Sequence, residues 1–380
     1  MSMQTSPGAE NADAGKTGRA ARARGSLRAN VVVFAVSLLI ALVVAEAGFR
    51  LVTGVPLFKF ANWRKERLAT DRLREFKAMP DPVLGWVSRP WNVHPDGYTT
   101  IAYGIRQNFG EKEIRTGAVL AVGDSFTEGW EVKDHESWPA VLEKRIGKPV
   151  VNAGVGAYGT DQIVLRAEQL LPIVKPKILI VGFLEEDIFR SEHSIFGAPK
   201  PYFTLEKGAL QYHPPPPVEP AQPGTALSSF VLGLRDVLGY SAAAHYLFAR
   251  LNPNYWYGSG RRDEYRKAGI DPVAITCALL QRLKAETDRE GIRMILFMQY
   301  YAPQIIYADA PTDNARRVVA CAGAAGIRVV DQFASLHAVE RADPGALGDY
   351  YVEYEGALVG HMTAWGNAHA AGLLEQALRE

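Results

Sequence analysis

From Ala118 onward, short uninterrupted apolar runs alternate with longer stretches of helical period. The runs are Ala118–Val122 (AVLAV), Val150–Ala153 (VVNA), Ile178–Phe183 (ILIVGF), Ile292–Met298 (IRMILFM) and Ile327–Asp331 (IRVVD). Each has strand length and no polar alternate face, as expected of strands buried on both sides. Between them, apolar positions recur at helical spacing over Ser137–Ile146, Asp161–Leu171, Pro272–Glu290, Asp313–Ala324 and Gly366–Leu378. Strands alternating with helices predict a mostly parallel five-stranded sheet covered on both faces, a three-layer α/β/α sandwich. Such sheets carry their sites at the carboxyl ends of the strands, so the residues just after each apolar run are the ones to inspect.

Upstream the pattern changes. Residues 1–28 are rich in Ala, Gly, Ser and Thr, with Lys16, Arg19, Arg22, Arg24 and Arg28, and predict a disordered basic tail. Val31–Ala45 is uncharged and Leu/Val-rich, and its flanks extend it over 29–52 toward the length that a bilayer requires. The basic flank puts the tail in the cytoplasm and everything beyond about residue 53 outside, as a single-pass signal anchor of the inner membrane with a periplasmic domain. The alternative is a cleaved signal peptide, because Ala45-Glu46-Ala47 has small-x-small form. Residues 53–116 carry turn signals such as Met79-Pro80-Asp81-Pro82 and read as a stalk and leading segment, and 117–380 as the globular domain. An insertion at about 195–265, with Pro214–Pro217 and a helical pair around 228–251, is either a cap over the site or a surface for a partner.

Composition excludes more than it identifies. The 42 Lys and Arg nearly balance 41 Asp and Glu, with no dense basic run, so no nucleic-acid partner is indicated. Cys277 and Cys321 are the only cysteines and lie in segments that read as helices, without metal-ligand spacing. They either pair in an oxidising compartment or sit as buried thiols. Gly154-Val155-Gly156-Ala157-Tyr158-Gly159 has GxGxxG form, but no acidic residue ends a second strand about twenty positions later, so no nucleotide cofactor is expected.

The chemistry gathers in three blocks. Gly123-Asp124-Ser125-Phe126-Thr127-Glu128-Gly129 follows the first run directly, placing a serine on a tight strand-to-helix turn. Asn152 to Gly159 (NAGVGAYG) follows the second, and His361-Met362-Thr363-Ala364-Trp365-Gly366-Asn367 opens the last helix. Of the eight histidines, only His361 stands in such a frame. In this order the blocks resemble those of the SGNH, or GDSL, hydrolases, over about residues 116–380. The resemblance implies a flavodoxin-like fold with Ser125 as nucleophile and His361 as base. It also implies backbone N–H groups of Ser125 and of Gly156 or Ala157 in the oxyanion hole; on the spacings above, no cofactor or metal is expected. Two positions depart from the family's pattern. Glu186 stands where the family has an oxyanion-binding Asn, and an ionised carboxylate cannot donate a hydrogen bond. Leu358 stands where the family has the triad's acid, leaving Glu353 or Glu355 as candidates. The expected activity is a serine esterase acting on acyl or O-acetyl esters of an extracytoplasmic glycan or lipid. The alternatives are an O-acyltransferase to a sugar hydroxyl and a degenerate glycan-binding or scaffold protein.

Overall fold

The computed structural model describes residues 11–58, 62, 78–94, 97–217, 234–251, 256, 264–265, 271–354 and 356–380. The chain divides into two compact units, residues 1–68 with 223–257, and residues 69–222 with 258–380.

The second unit is built on five strands: β1 Val119–Val122, β2 Val150–Asn152, β3 Ile178–Leu184, β4 Arg293–Gln299 and β5 Arg328–Asp331. They pair in parallel in the order β5-β4-β3-β1-β2, with Val119 opposite both Val150 and Ile178. This is the doubly wound arrangement in which strand order reverses beside β1, and the reversal opens a crevice at the carboxyl ends there. The strands are almost wholly apolar because both faces are covered: Leu120, Ala121, Val122, Ile180 and Leu296 are all fully buried.

Besides the short helices Glu186–Arg190 and Ala302–Ile306, the described helices include, in chain order, α1 Asn11–Thr53, α2 Ser125–Glu128, α3 Trp138–Ile146, α4 Thr160–Val174, α5 Ala242–Leu251, α6 Pro272–Arg289, α7 Asp313–Ala324, α8 Phe333–Ala342 and α9 Ala364–Arg379. Helices α3 and α9 pack together, and α6 packs on α4 and α7. Cys277 of α6 and Cys321 of α7 form a disulfide that joins these two helices, where burial as free thiols was the competing expectation. Residues 78–116 supply Leu84, Trp86, Ile101 and Ile105 to the core of this unit. Gly104 takes a positive φ and lies where a Cβ would stand 2.0 Å from the Ser88 carbonyl oxygen, so the turn admits no side chain there.

In the first unit α1 begins at Asn11, so residues 11–28, expected without structure, are helical. Ala and Arg are strong helix formers, and a helix nucleated in the apolar run extends into them at low cost. Its segment Asn30–Thr53 is long and apolar enough to cross a membrane, and the most apolar 18-residue window in it is not buried within the protein. Of the expected helical pair in the insertion, 234–238 and α5 are helical, and 228–233 lies outside the described residues.

Candidate active site

Asp124 ends the turn after β1 and caps α2, its carboxylate accepting from the Phe126 N–H at 2.9 Å. Ser125 is therefore the first helical residue, with its N–H at the positive end of α2 and no partner within the helix. Thr363 caps α9 in the same way, which fixes the chain just before it and brings His361 to the turn. The structure places His361 Nε2 2.9 Å from Ser125 Oγ. The ring lies between Phe126 and Trp130, with centroids at 5.1 and 5.3 Å.

The residue behind the imidazole is Glu131, which sequence reasoning missed. Its Oε1 lies 3.2 Å from His361 Nδ1, and its Oε2 accepts the His361 backbone N–H at 3.1 Å. The Tyr354 hydroxyl donates to Oε1 at 2.6 Å. Burial alone pushes this carboxyl up. The hydrogen bonds and positive charge of His361, with the Tyr354 hydroxyl, outweigh burial and hold it below the ordinary glutamate range. An ionised Glu131 keeps the proton on Nδ1 and leaves the Nε2 lone pair for the serine hydroxyl.

Why Glu131 arrives there follows from the loop after α2. Gly129 and Glu131 both adopt left-handed φ, 84° and 68°, which costs about 1 kcal/mol at a residue with a side chain. Arg106 offsets that cost. Its buried guanidinium donates to the carbonyls of Glu128 and Val132, each at 2.7 Å, and to that of Gly129. These main-chain acceptors lie at both ends of the segment 128–132, so the fork fixes its curvature. Of the two acids expected in this role, Glu353 is exposed and makes no hydrogen bond to His361, and Glu355 lies outside the described residues.

Of the two residues expected as the second oxyanion donor, Gly156 has its N–H engaged elsewhere. The Gly156 N–H donates to Glu128 Oε2 at 2.8 Å and is not available to a substrate. Glu128 is buried and also accepts from Ser88 Oγ, Tyr98 Oη and Trp130 Nε1 at 2.6, 3.1 and 2.6 Å. A Cβ on Gly156 would fall 2.2 Å from the Trp130 ring, so glycine is required there for close approach. Ala157, at φ 65°, and Ser125 keep backbone N–H groups with no hydrogen-bond partner among the described residues.

Glu186 opens the short helix Glu186–Arg190 after β3. Burial first, then Glu185 and Asp124, push its carboxyl up to about 7 against the pull of Arg190, and its Oε2 is buried with no hydrogen-bond partner among the described residues. Arg190 donates to Asp124 at 2.9 Å, Asp187 at 2.7 Å and the Tyr158 carbonyl at 3.0 Å. It thus ties the residue before Ser125 to the turn after β3. Burial and the neighbouring Asp124 push Asp187 upward in the same cluster. Among the described residues no His, Cys, Asp and Glu side chains group as a metal site.

An α/β/α sandwich with a serine, an imidazole and a carboxylate in line at the carboxyl edge of its sheet defines the class. No family model matches this chain, and no curated protein matches it. Solved structures to which it is similar include a GDSL-family lipolytic protein, a lipase/acylhydrolase and acetylxylan esterases. A lipolytic protein of the G-D-S-L family from Desulfitobacterium hafniense is 12% identical at a TM-score of 0.34, over 69% of this chain and 99% of that one. A lipase/acylhydrolase from Enterococcus faecalis is 13% identical at 0.37, over 69% and 95%. An acetylxylan esterase variant from Geobacillus stearothermophilus is 14% identical at 0.38, over 69% and 94%. At such identities the chemistry of this chain has to be read from its own site.

Proposed function

We propose that this protein is a membrane-anchored serine carboxylic ester hydrolase that works through an acyl-enzyme outside the cytoplasm. The observation that carries the reading is the line Ser125 Oγ, His361 Nε2, His361 Nδ1, Glu131 Oε1, with contacts of 2.9 and 3.2 Å. Ser125 Oγ attacks the ester carbonyl carbon as His361 Nε2 takes its proton, and Glu131 stabilises the imidazolium. The N–H groups of Ser125 and Ala157 receive the oxyanion. The tetrahedral adduct collapses, the alcohol leaves with the proton from Nε2, and water activated by the same nitrogen releases the acid and restores Ser125. Burial raises the Glu186 carboxyl to about 7, which favours the neutral form, and a neutral carboxyl carries a donor hydrogen in place of a repelling charge.

Three features support an extracytoplasmic location. The Cys277–Cys321 disulfide suits an oxidising compartment. The basic residues lie before the apolar span. An uncleaved anchor is favoured because Glu46, inside the small-x-small sequence, is part of the fold: it accepts from Ser241 Oγ at 2.6 Å and from the Ala242 N–H at 2.8 Å. Accessible substrates there are O-acetyl groups on a glycan or esters of lipids. Detergent-solubilised protein is expected to hydrolyse p-nitrophenyl acetate, with turnover abolished in Ser125→Ala and His361→Ala. Equal rates in wild type and Ser125→Ala would overturn the reading.

A further inference from the structure

We propose that the exposed face of α5 and the helical turn 234–238 before it lie in the outer headgroup layer of the membrane, giving the protein a second, interfacial contact beside its span. The proposal rests on the anchor reading.

Between Arg28 and Glu46 the sequence has no charge, a stretch of about 25 Å at 1.5 Å per residue, slightly less than the hydrocarbon thickness of a bilayer. Glu46 and Arg50, which pair at 2.6 Å, therefore mark the outer boundary of the apolar slab. Helix α5 is attached at that level. Glu46 caps its N-terminus through Ser241, Ala242 and Ala243, at 2.6, 2.8 and 3.2 Å. Arg50 donates to the Tyr240 carbonyl at 3.4 Å, and the Phe49 and Tyr246 rings stand 5.4 Å apart. Three side chains on one turn of α1 thus fix where α5 starts.

What α5 presents outward is apolar and aromatic. Tyr246, Leu247 and Leu251 are 44, 50 and 73% exposed, and on the preceding segment Leu234, Val237 and Tyr240 are 47, 68 and 55% exposed. Leu247 and Leu251 are one turn apart and so share a face. Leaving this much apolar surface in water is unfavourable by about 25 cal/mol per Å². On α5 the exposed charged side chain is Arg250, which stacks over the Tyr246 ring at 3.9 Å from its centroid, and Arg235 and Asp236 of the preceding turn are half-buried. An aliphatic patch edged by tyrosines and a stacked arginine matches the headgroup–acyl boundary, where aromatic rings and long cationic side chains are both favoured. A lipid surface is favoured over a protein because the patch is continuous with the segment that enters the bilayer.

The test uses the full chain in phosphatidylcholine–phosphatidylglycerol vesicles. Single cysteines at Leu247, Leu251, Leu39 and Tyr307 are labelled with an environment-sensitive fluorophore, since the two native cysteines are joined and do not react. Spin-labelled lipid carrying the quencher near the headgroup should reduce emission at 247 and 251 about twofold or more, with protection from aqueous iodide, while the label at 307 stays iodide-accessible. A label at 39 quenched by deep spin-labelled lipid shows that the anchor reading holds. If 39 is quenched and 247 and 251 remain open to iodide, the interfacial proposal fails alone. If 247 and 251 are shielded from iodide yet unaffected by lipid quenchers, a second copy or another protein covers the face and the proposal also fails. No quenching at 39 would remove the anchor and the proposal together.

Discussion

Glu131→Gln separates the account from any in which the imidazole is merely near the serine. The substitution keeps size and an acceptor oxygen for the His361 N–H, but it replaces the ionised oxygen facing Nδ1. If the amide NH2 faces the ring, the favoured tautomer carries its proton on Nε2, where it cannot take one from Ser125. If the amide oxygen faces it, the imidazolium formed during attack loses its counter-charge. Either way the loss falls on kcat, because the acid acts on the transition state and not on ester binding. Removing the acid from an otherwise intact triad costs up to about 10⁴-fold. Glu131 is about a quarter exposed, at 23%, so water supplies part of the lost stabilisation and the expected decrease is about 10³-fold, near 4 kcal/mol. Steady-state hydrolysis of p-nitrophenyl acetate provides kcat and KM, with Glu353→Gln and Glu355→Gln in parallel and near-ultraviolet circular dichroism as a check on folding. A folded Glu131→Gln protein within about tenfold of wild type would refute the assignment, as would a large loss confined to Glu353→Gln or Glu355→Gln.

Glu186 should make stability pH-dependent. Its folded pKa is raised from 4.5 to about 7, so the folded state retains a proton that the unfolded chain gives up between those values, and stability falls as pH rises through that window. The loss is about 3 kcal/mol at most. Glu186→Gln should therefore melt at the same temperature as wild type at pH 4 and higher at pH 8, and coincident curves at both would contradict the assignment. Opening the Cys277–Cys321 bridge with Cys277→Ser frees a 44-residue separation and should cost about 4 kcal/mol in urea unfolding. A cost under about 1 kcal/mol would show that α6 and α7 hold without it. Gly156→Ala should displace Trp130, whose ring lies 5.3 Å from that of His361, and lower kcat about tenfold or more; unchanged kinetics would show that the loop accommodates the methyl group.

Strands β1 to β4 were legible because they are largely buried on both faces and read as apolar runs, and β5, half-buried along its length, because Val329 and Val330 follow a helix and a glycine; Ser125 and His361 stood out because a strand end and a helix cap frame them. Glu131 was not. It lies in a loop with two left-handed residues whose course is set by Arg106, a residue with no local signal and more than twenty positions upstream. A carboxylate brought to the histidine by a distant guanidinium leaves no spacing to read. The choice between Gly156 and Ala157 was not legible for a related reason. Its position in the second block is apparent, but that its N–H is taken by Glu128 depends on a buried carboxylate whose four donors come from Ser88, Tyr98, Trp130 and Gly156. The helicity of 11–28 was obscured by composition, since Gly and Ser among the alanines read as a tail.

The most direct test of the central claim is mass spectrometry of the full chain after reaction with a fluorophosphonate. A nucleophile activated by His361 and Glu131 predicts stoichiometric phosphonylation, mapped to the peptide carrying Ser125 and slowed about 10³-fold in Glu131→Gln. Folded wild-type protein that remains unmodified, or is modified at another residue, would contradict it.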